Sequence, residues 1–166
     1  MKWKIIDASG YCHYDNFTWQ DNKWHKIKGK LVMYKNGFHC SGLLLNELNF
    51  VPHDVICLVE SKGRGVSDIS TECWSQMRIV SMWRWTIQDS VNLAAYVISL
   101  AVPSTKFYPA IVRWVDETNK RPEELKRKAA MRAVSWSCAS AGVKGYYKRR
   151  YQIEKWLVKY LTKGER

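Results

Sequence analysis

Gln76-Met-Arg-Ile-Val-Ser-Met82 alternates polar and apolar side chains well enough to be a strand. After Trp83-Arg-Trp85 the pattern changes. Thr86-Ile-Gln-Asp89 has the form of a capping box, and Val91, Ala94, Ala95, Ile98 and Val102 follow at helical spacing until Pro103. A period near two gives way to a period of 3.6 within a few residues. That change divides the 166-residue chain into a strand-rich part, 1–85, and a helical part, 86–166. The expected fold class is α+β: a small N-terminal β-sheet followed by a four-helix C-terminal region packed on it.

Upstream of the change, Trp3 to Ile6 is a short apolar run, and Ser9 to Lys30 reads as hairpin or loop. Leu31-Val-Met-Tyr34 is a strand candidate closed by Lys35-Asn36-Gly37, a strong turn signal. Val55-Ile-Cys-Leu-Val-Glu60, preceded by Pro52, is the best strand, and Gly63-Arg64-Gly65 reads as the hairpin turn after it.

Downstream, Phe107, Ile111, Trp114, Val115 and Thr118 form a second helical stripe, with Pro109 tolerable in its first turn. A third helix opens at Pro122-Glu-Glu, with Leu125, Ala129, Ala133, Trp136 and Ser140 on one face and Gly142 at its end. The fourth spans about Tyr146 to Thr162.

Charge is unevenly spread. Residues 1–83 carry 10 Lys and Arg against 8 Asp and Glu, whereas residues 84–166 carry 17 against 7. Most of the net +12 therefore sits in the C-terminal half. A concentrated positive field attracts polyanions: nucleic acid, an acidic protein face or an anionic membrane surface. The densest part contains Lys144, Lys148, Arg149, Arg150, Lys155, Lys159, Lys163 and Arg166. On the fourth helix Lys148, Gln152, Lys155, Lys159 and Lys163 recur at three- or four-residue steps and share one face. Ile153, Trp156, Leu157, Tyr160 and Leu161 take the other. A basic stripe on an amphipathic helix suits phosphate binding, and a solvated lysine face is the alternative. On the third helix Glu123–Arg127 and Glu124–Lys128 stand at i,i+4, which favours a structural reading of its cations.

Composition is that of a globular chain, 46% hydrophobic and 25% charged. The longest apolar candidate, Val91 to Val102, is shorter than the ~18–20 residues needed to span a bilayer. The five cysteines, an odd number with no C-x-x-C, read as free thiols, and no export signal is visible. The expected location is the cytoplasm of a host cell. His13, His25 and His53 have no spacing that demands a metal, so no metal site is expected.

The most distinctive short stretch is Asn36-Gly-Phe-His-Cys-Ser41. His39 after a tight turn has the chemistry of a base or ligand donor, with Ser41 nearby and Glu60 as a conceivable partner carboxylate. A hydrogen-bonded structural histidine is the competing reading, and the favoured one.

From Lys30 to Val80, "GFHCS", "VICLVE" and "MRIV" together resemble an uncharacterised domain family of bacteriophage and prophage proteins. "DSVNLAAYVISLAV" and "NKRPEELKRKAA" are similar to that family's helical tails. The resemblance implies a phage or mobile-element origin and brings no established activity. A short strand, a Gly-aromatic turn and a strand-end Glu also resemble small ADP-ribosyltransferase-like folds. There the expected Arg or His of the first strand is missing, because residues 3–6 read Trp-Lys-Ile-Ile.

The leading expectation is a non-enzymatic phage-type accessory protein without cofactor. Its basic helix would bind nucleic acid or a host nucleoprotein complex, such as a defence or transcription assembly. One alternative is NAD-dependent ADP-ribosyl transfer centred on His39, Ser41 and Glu60. Another is an inhibitor whose basic face meets an acidic protein surface.

Overall fold

The computed structural model describes residues 1–12, 15–20, 22–48, 55–101, 105–120 and 123–163. Pro52, His13, His53, Val102, Pro103, Pro122 and Arg166 lie outside the described residues, as do the side chains of Glu123 and Glu124. The chain divides into two compact units, Met1–Trp85 and Thr86–Arg166. The first holds the sheet and the second the long helices, so the fold is α+β.

In the first unit β1 (Lys2–Ile6), β6 (Val55–Ser67), β7 (Glu72–Arg84) and β4 (His25–Lys26) lie side by side in that order, with β5 (Phe38–Cys40) also on β7. All these pairings are antiparallel. Beyond β5 the chain bridges back from Ser41 to Trp3, with backbone hydrogen bonds of 2.7 and 2.8 Å. The sheet thereby curls upon itself, and the outer edge of β1 is partly paired. Ile6, Phe38, Cys40, Cys57, Val59, Met77 and Ile79 fill its core. A separate ribbon joins β2 (Tyr11–Cys12) to β3 (Phe17–Thr18). A short helix, α1 (Leu44–Glu47), buries Leu44 and Leu45. It brings the helix count among the described residues to five; the other four follow the sheet, as expected.

Two local expectations fail here. Gly63-Arg64-Gly65 is not the hairpin turn but an interior irregularity of β6, where the register with β7 shifts between Lys62 and Gly65. Gly63 has φ +81°, and a Cβ there would lie 2.5 Å from Ser75 Oγ. Only glycine lets the strand bulge at this point. The true turn is Asp68–Thr71, where Asp68 Oδ1 accepts the backbone N–H groups of Ser70 and Thr71. Leu31–Tyr34 is likewise no strand. Its chain turns at Val32–Asn36, and Tyr34 takes a left-handed φ of +59°.

In the second unit α2 (Ile87–Ser99) starts at the expected capping box, with Thr86 and Asp89 bonded reciprocally. Its buried side chains are Ser90, Leu93, Ala94 and Val97, whereas Ala95 is exposed, so the expected stripe is offset. The cause is polar. Asp89 is buried because Tyr160 OH donates to its Oδ1 at 2.7 Å, and hydropathy alone does not foresee that position. α3 (Tyr108–Lys120) buries Ile111 and Thr118. α4 (Glu123–Ser140) buries Ala129, Ala130, Ala133, Val134 and Cys138, while Trp136 is exposed rather than inward. α5 (Gly142–Thr162) begins earlier than expected, at a glycine with φ +69°. Its inner face carries Ile153, Leu157 and Leu161, and Trp156 stacks between Tyr96 and Tyr160.

Among the described residues no helix is long and apolar enough to cross a membrane.

Candidate functional site

His39 lies in β5 and is buried. Its Nδ1 stands 3.0 Å from Asp15 Oδ1, which also accepts the His39 backbone N–H at 3.0 Å. The backbone N–H of Tyr34 donates to Nε2 at 2.9 Å, and the Tyr34 ring stacks on the imidazole. An accepting Nε2 leaves the ring proton on Nδ1, facing the carboxylate. Both nitrogens are thus occupied by the fold.

Asp15 Oδ2 in turn pairs with Lys4 Nζ at 2.5 Å, and Lys4 donates to the His39 carbonyl at 2.7 Å. The three groups tie the first strand, the loop before β3 and β5 together inside the unit. Burial raises the Asp15 carboxyl, but the Lys4 charge and the His39 hydrogen bonds outweigh it and hold the group below its usual range. Burial works against the Lys4 ammonium too, yet Asp15 keeps it charged well above its ordinary value. Breaking a buried pair of this kind leaves an uncompensated charge and costs about 3–5 kcal/mol. This network escaped the sequence reading. Its one visible sign was Lys4, a cation set between the apolar Trp3 and Ile5.

Glu60 does not join His39. It sits half exposed on β6 and pairs with Arg78, at 2.7 Å to Nη2 and 2.9 Å to Nε. The β7 residues opposite His39 and Glu60 are Cys73 and Arg78, five positions apart. At ~3.3 Å per residue that is roughly 17 Å along the strand. Ser41 Oγ donates to the Ser70 carbonyl and accepts from Leu43 N–H and Asn46 Nδ2. Ser41 lines a cleft of about 480 Å³ with Asn46, Asp68 and Glu72. Its acids have structural work: Asp68 caps the hairpin turn and meets the Tyr34 hydroxyl, and Glu72 pairs with Lys2 at 2.8 Å. Among the described residues the arrangement brings no base to the Ser41 hydroxyl, and it does not bring the Glu60 carboxylate to the imidazole. Among the described residues no cluster of His, Cys, Asp and Glu could hold a metal ion.

The basic helix is different. Lys144, Lys148, Gln152, Lys155 and Lys159 along α5 and Lys163 at its C-cap are all exposed. At 100° per residue the five lysines fall within an arc of about 100°, and from Lys144 to Lys163 they extend about 28 Å. The acid of this helix, Glu154, is buried on the other side. One of the expected binding residues turns elsewhere. Arg149 reaches into the helical unit, where its guanidinium meets the Leu100 carbonyl and Ser137 Oγ, and Arg150 is half buried. Arg149 is therefore a C-terminal clasp on α2, whose last carbonyls it helps satisfy. On α4, Arg127 is buried and Arg132 lies over the Trp114 ring at 4.5 Å, in keeping with a structural role.

No family model matches the chain, and neither a curated protein nor a solved structure is significantly similar to it.

Proposed function

We propose that the protein is a non-enzymatic, phage-type accessory protein that binds nucleic acid through the lysine face of α5. The nucleic acid is met either bare or within a host nucleoprotein complex, such as a defence or transcription assembly. The observation that carries this reading is the exposed, nearly acid-free row from Lys144 to Lys163 on one side of one helix. Lysines so arranged neutralise successive phosphates and release counterions, which gives affinity without base readout. The phage-type attribution rests on the Gly37-Phe-His-Cys-Ser41 resemblance.

The test is a mobility shift on DNA, RNA and a neutral polymer across a salt series. Wild type is expected to bind the nucleic acids with an affinity that falls steeply with salt. Replacing Lys148, Lys155, Lys159 and Lys163 by Gln keeps helix propensity nearly constant. It should flatten the salt slope by about 0.7 to 0.9 for each phosphate that is no longer neutralised. An unchanged slope in that variant, or no binding by wild type, overturns the reading. Binding to an acidic protein in place of both nucleic acids would mean that the face serves an inhibitor.

A further inference from the structure

Tyr147 and Tyr151 are the exposed aromatic residues of α5, at 76% and 60% of their full accessibility. The other aromatic residues in the second half of this helix pack inward: Trp156 stacks on Tyr96 and Tyr160, and Tyr160 bonds Asp89. A lone exposed ring would need no explanation. These two are not lone. They stand four residues apart, on one ridge of the helix, and Lys144, Lys148 and Lys155 occupy the ridge beside them. At 100° per residue Tyr151 falls about 20° from Lys144 and about 40° from Lys155. Lys155 Nζ lies 5.5 Å from the centre of the Tyr151 ring, so cation and ring already share one surface.

From this juxtaposition we infer that the ligand is single-stranded nucleic acid, whose bases stack on Tyr147 and Tyr151 while Lys144, Lys148 and Lys155 hold the phosphates. The inference rests on the proposed nucleic-acid reading of α5 and narrows it. Every base has a π-face, so such a platform is tolerant of sequence, and a basic groove with aromatic side chains is the general design of single-strand binders. Spacing argues against a duplex. The two residues are about 6 Å apart along the helix axis, nearly twice the ~3.4 Å rise per nucleotide of duplex DNA. Bases that meet both rings must have left the regular stack, and only an unpaired strand offers them at small cost.

The experiment measures binding of labelled oligothymidylate and of a mixed-sequence duplex of the same length by fluorescence anisotropy. It compares wild type with a Tyr147→Leu/Tyr151→Leu pair and a Tyr147→Phe/Tyr151→Phe pair. Leucine keeps apolar area and removes the ring, whereas phenylalanine keeps the ring. Wild type should prefer the single strand. The leucine pair should lose about tenfold or more of that affinity, since one base stack contributes about 5- to 150-fold. Its duplex affinity should stay within about twofold, and the phenylalanine pair should bind as wild type. Ultraviolet cross-linking of wild type to the oligothymidylate should map to residues 144–155, which tests the site even where a variant folds poorly. Preference for the duplex, a leucine pair as tight as wild type, or cross-links confined elsewhere would overturn the single-strand inference and leave the lysine-face reading standing. If wild type binds neither ligand, both readings fall together.

Discussion

Glu47 is a buried carboxyl at the end of α1, near the charged pair of Lys4 and Asp15. Burial, with help from the Asp15 charge, pushes it from 4.5 up to about 7, although the Lys4 ammonium and a backbone hydrogen bond from Ile5 pull the other way. Its folded value is raised, so it binds its proton more tightly in the fold. The stability it contributes is complete below about 4.5 and disappears as pH rises through about 7. Asp15 behaves oppositely. Its value is lowered, so its contribution is present above its ordinary 3.8 and is lost as pH falls through the lowered folded value. Glu47→Gln removes the first effect alone. Urea unfolding at pH 5 and pH 8 should show the variant gaining on wild type at the higher pH, by at most roughly 3 kcal/mol. A difference that does not move with pH would mean that Glu47 ionises freely. None of this was legible along the chain. Asp15 and His39 meet Lys4 only through the closure of the sheet, and a single sequence carries no mark of such distant partners.

Elements were legible where pattern and chemistry agreed. The capping box at Thr86 and the proline in the first turn of α3 both stand where sequence put them. Strand β6 was only half legible. Past Glu60 it runs as an arm exposed from Lys62 onward, so no buried face imposes a period, and its glycines read as a turn. The arm is nevertheless a built object. Gly65 faces Trp74, and a Cβ there would stand 2.8 Å from the indole. That ring is held from two sides, since its Nε1 donates to Glu72 at 2.8 Å and Lys2 Nζ lies 3.7 Å from its centre. Gly65→Ala must therefore displace Trp74 or open the β6–β7 pairing. A cost of about 1–3 kcal/mol is expected, together with an altered indole near-ultraviolet signal. Unchanged stability and spectrum would show that the arm yields without cost. On the opposite edge of β7, β4 places Lys26 beside Gln76, and its exposed lysine suits an edge strand that must not recruit another chain.

At the scale of the whole chain, charge and architecture follow the same division. The unit Met1–Trp85 contains 11 Lys and Arg against 8 acids, and Thr86–Arg166 contains 16 against 7. Charge was the most legible property of the candidate interface, because cations on a helix must face solvent or a partner. Which cations serve it was less so: the periodicity that gathered Lys148, Lys155, Lys159 and Lys163 could not reveal that Arg149 turns inward. The exposed rings beside the lysines were likewise hidden among nine tyrosines.

All five cysteines are free and buried, and they are split between the units: Cys12, Cys40, Cys57 and Cys73 in the first, Cys138 in the second. Burial, with the Glu72 charge adding to it, pushes the Cys40 thiol up to about 12, and burial pushes Cys73 to about 11. Only the thiolate attacks an alkylating reagent, so the folded chain should be nearly inert to iodoacetamide at neutral pH. Each labelling event then records an opening of the unit that holds the thiol. Peptide mapping over time yields two independent clocks from the unmodified protein, with no introduced probe. Addition of nucleic acid should slow the clock at Cys138, because a ligand that binds the folded helices alone suppresses their opening. The four thiols of the sheet unit should keep their own time. Equal slowing of all five would show that the two units open as one.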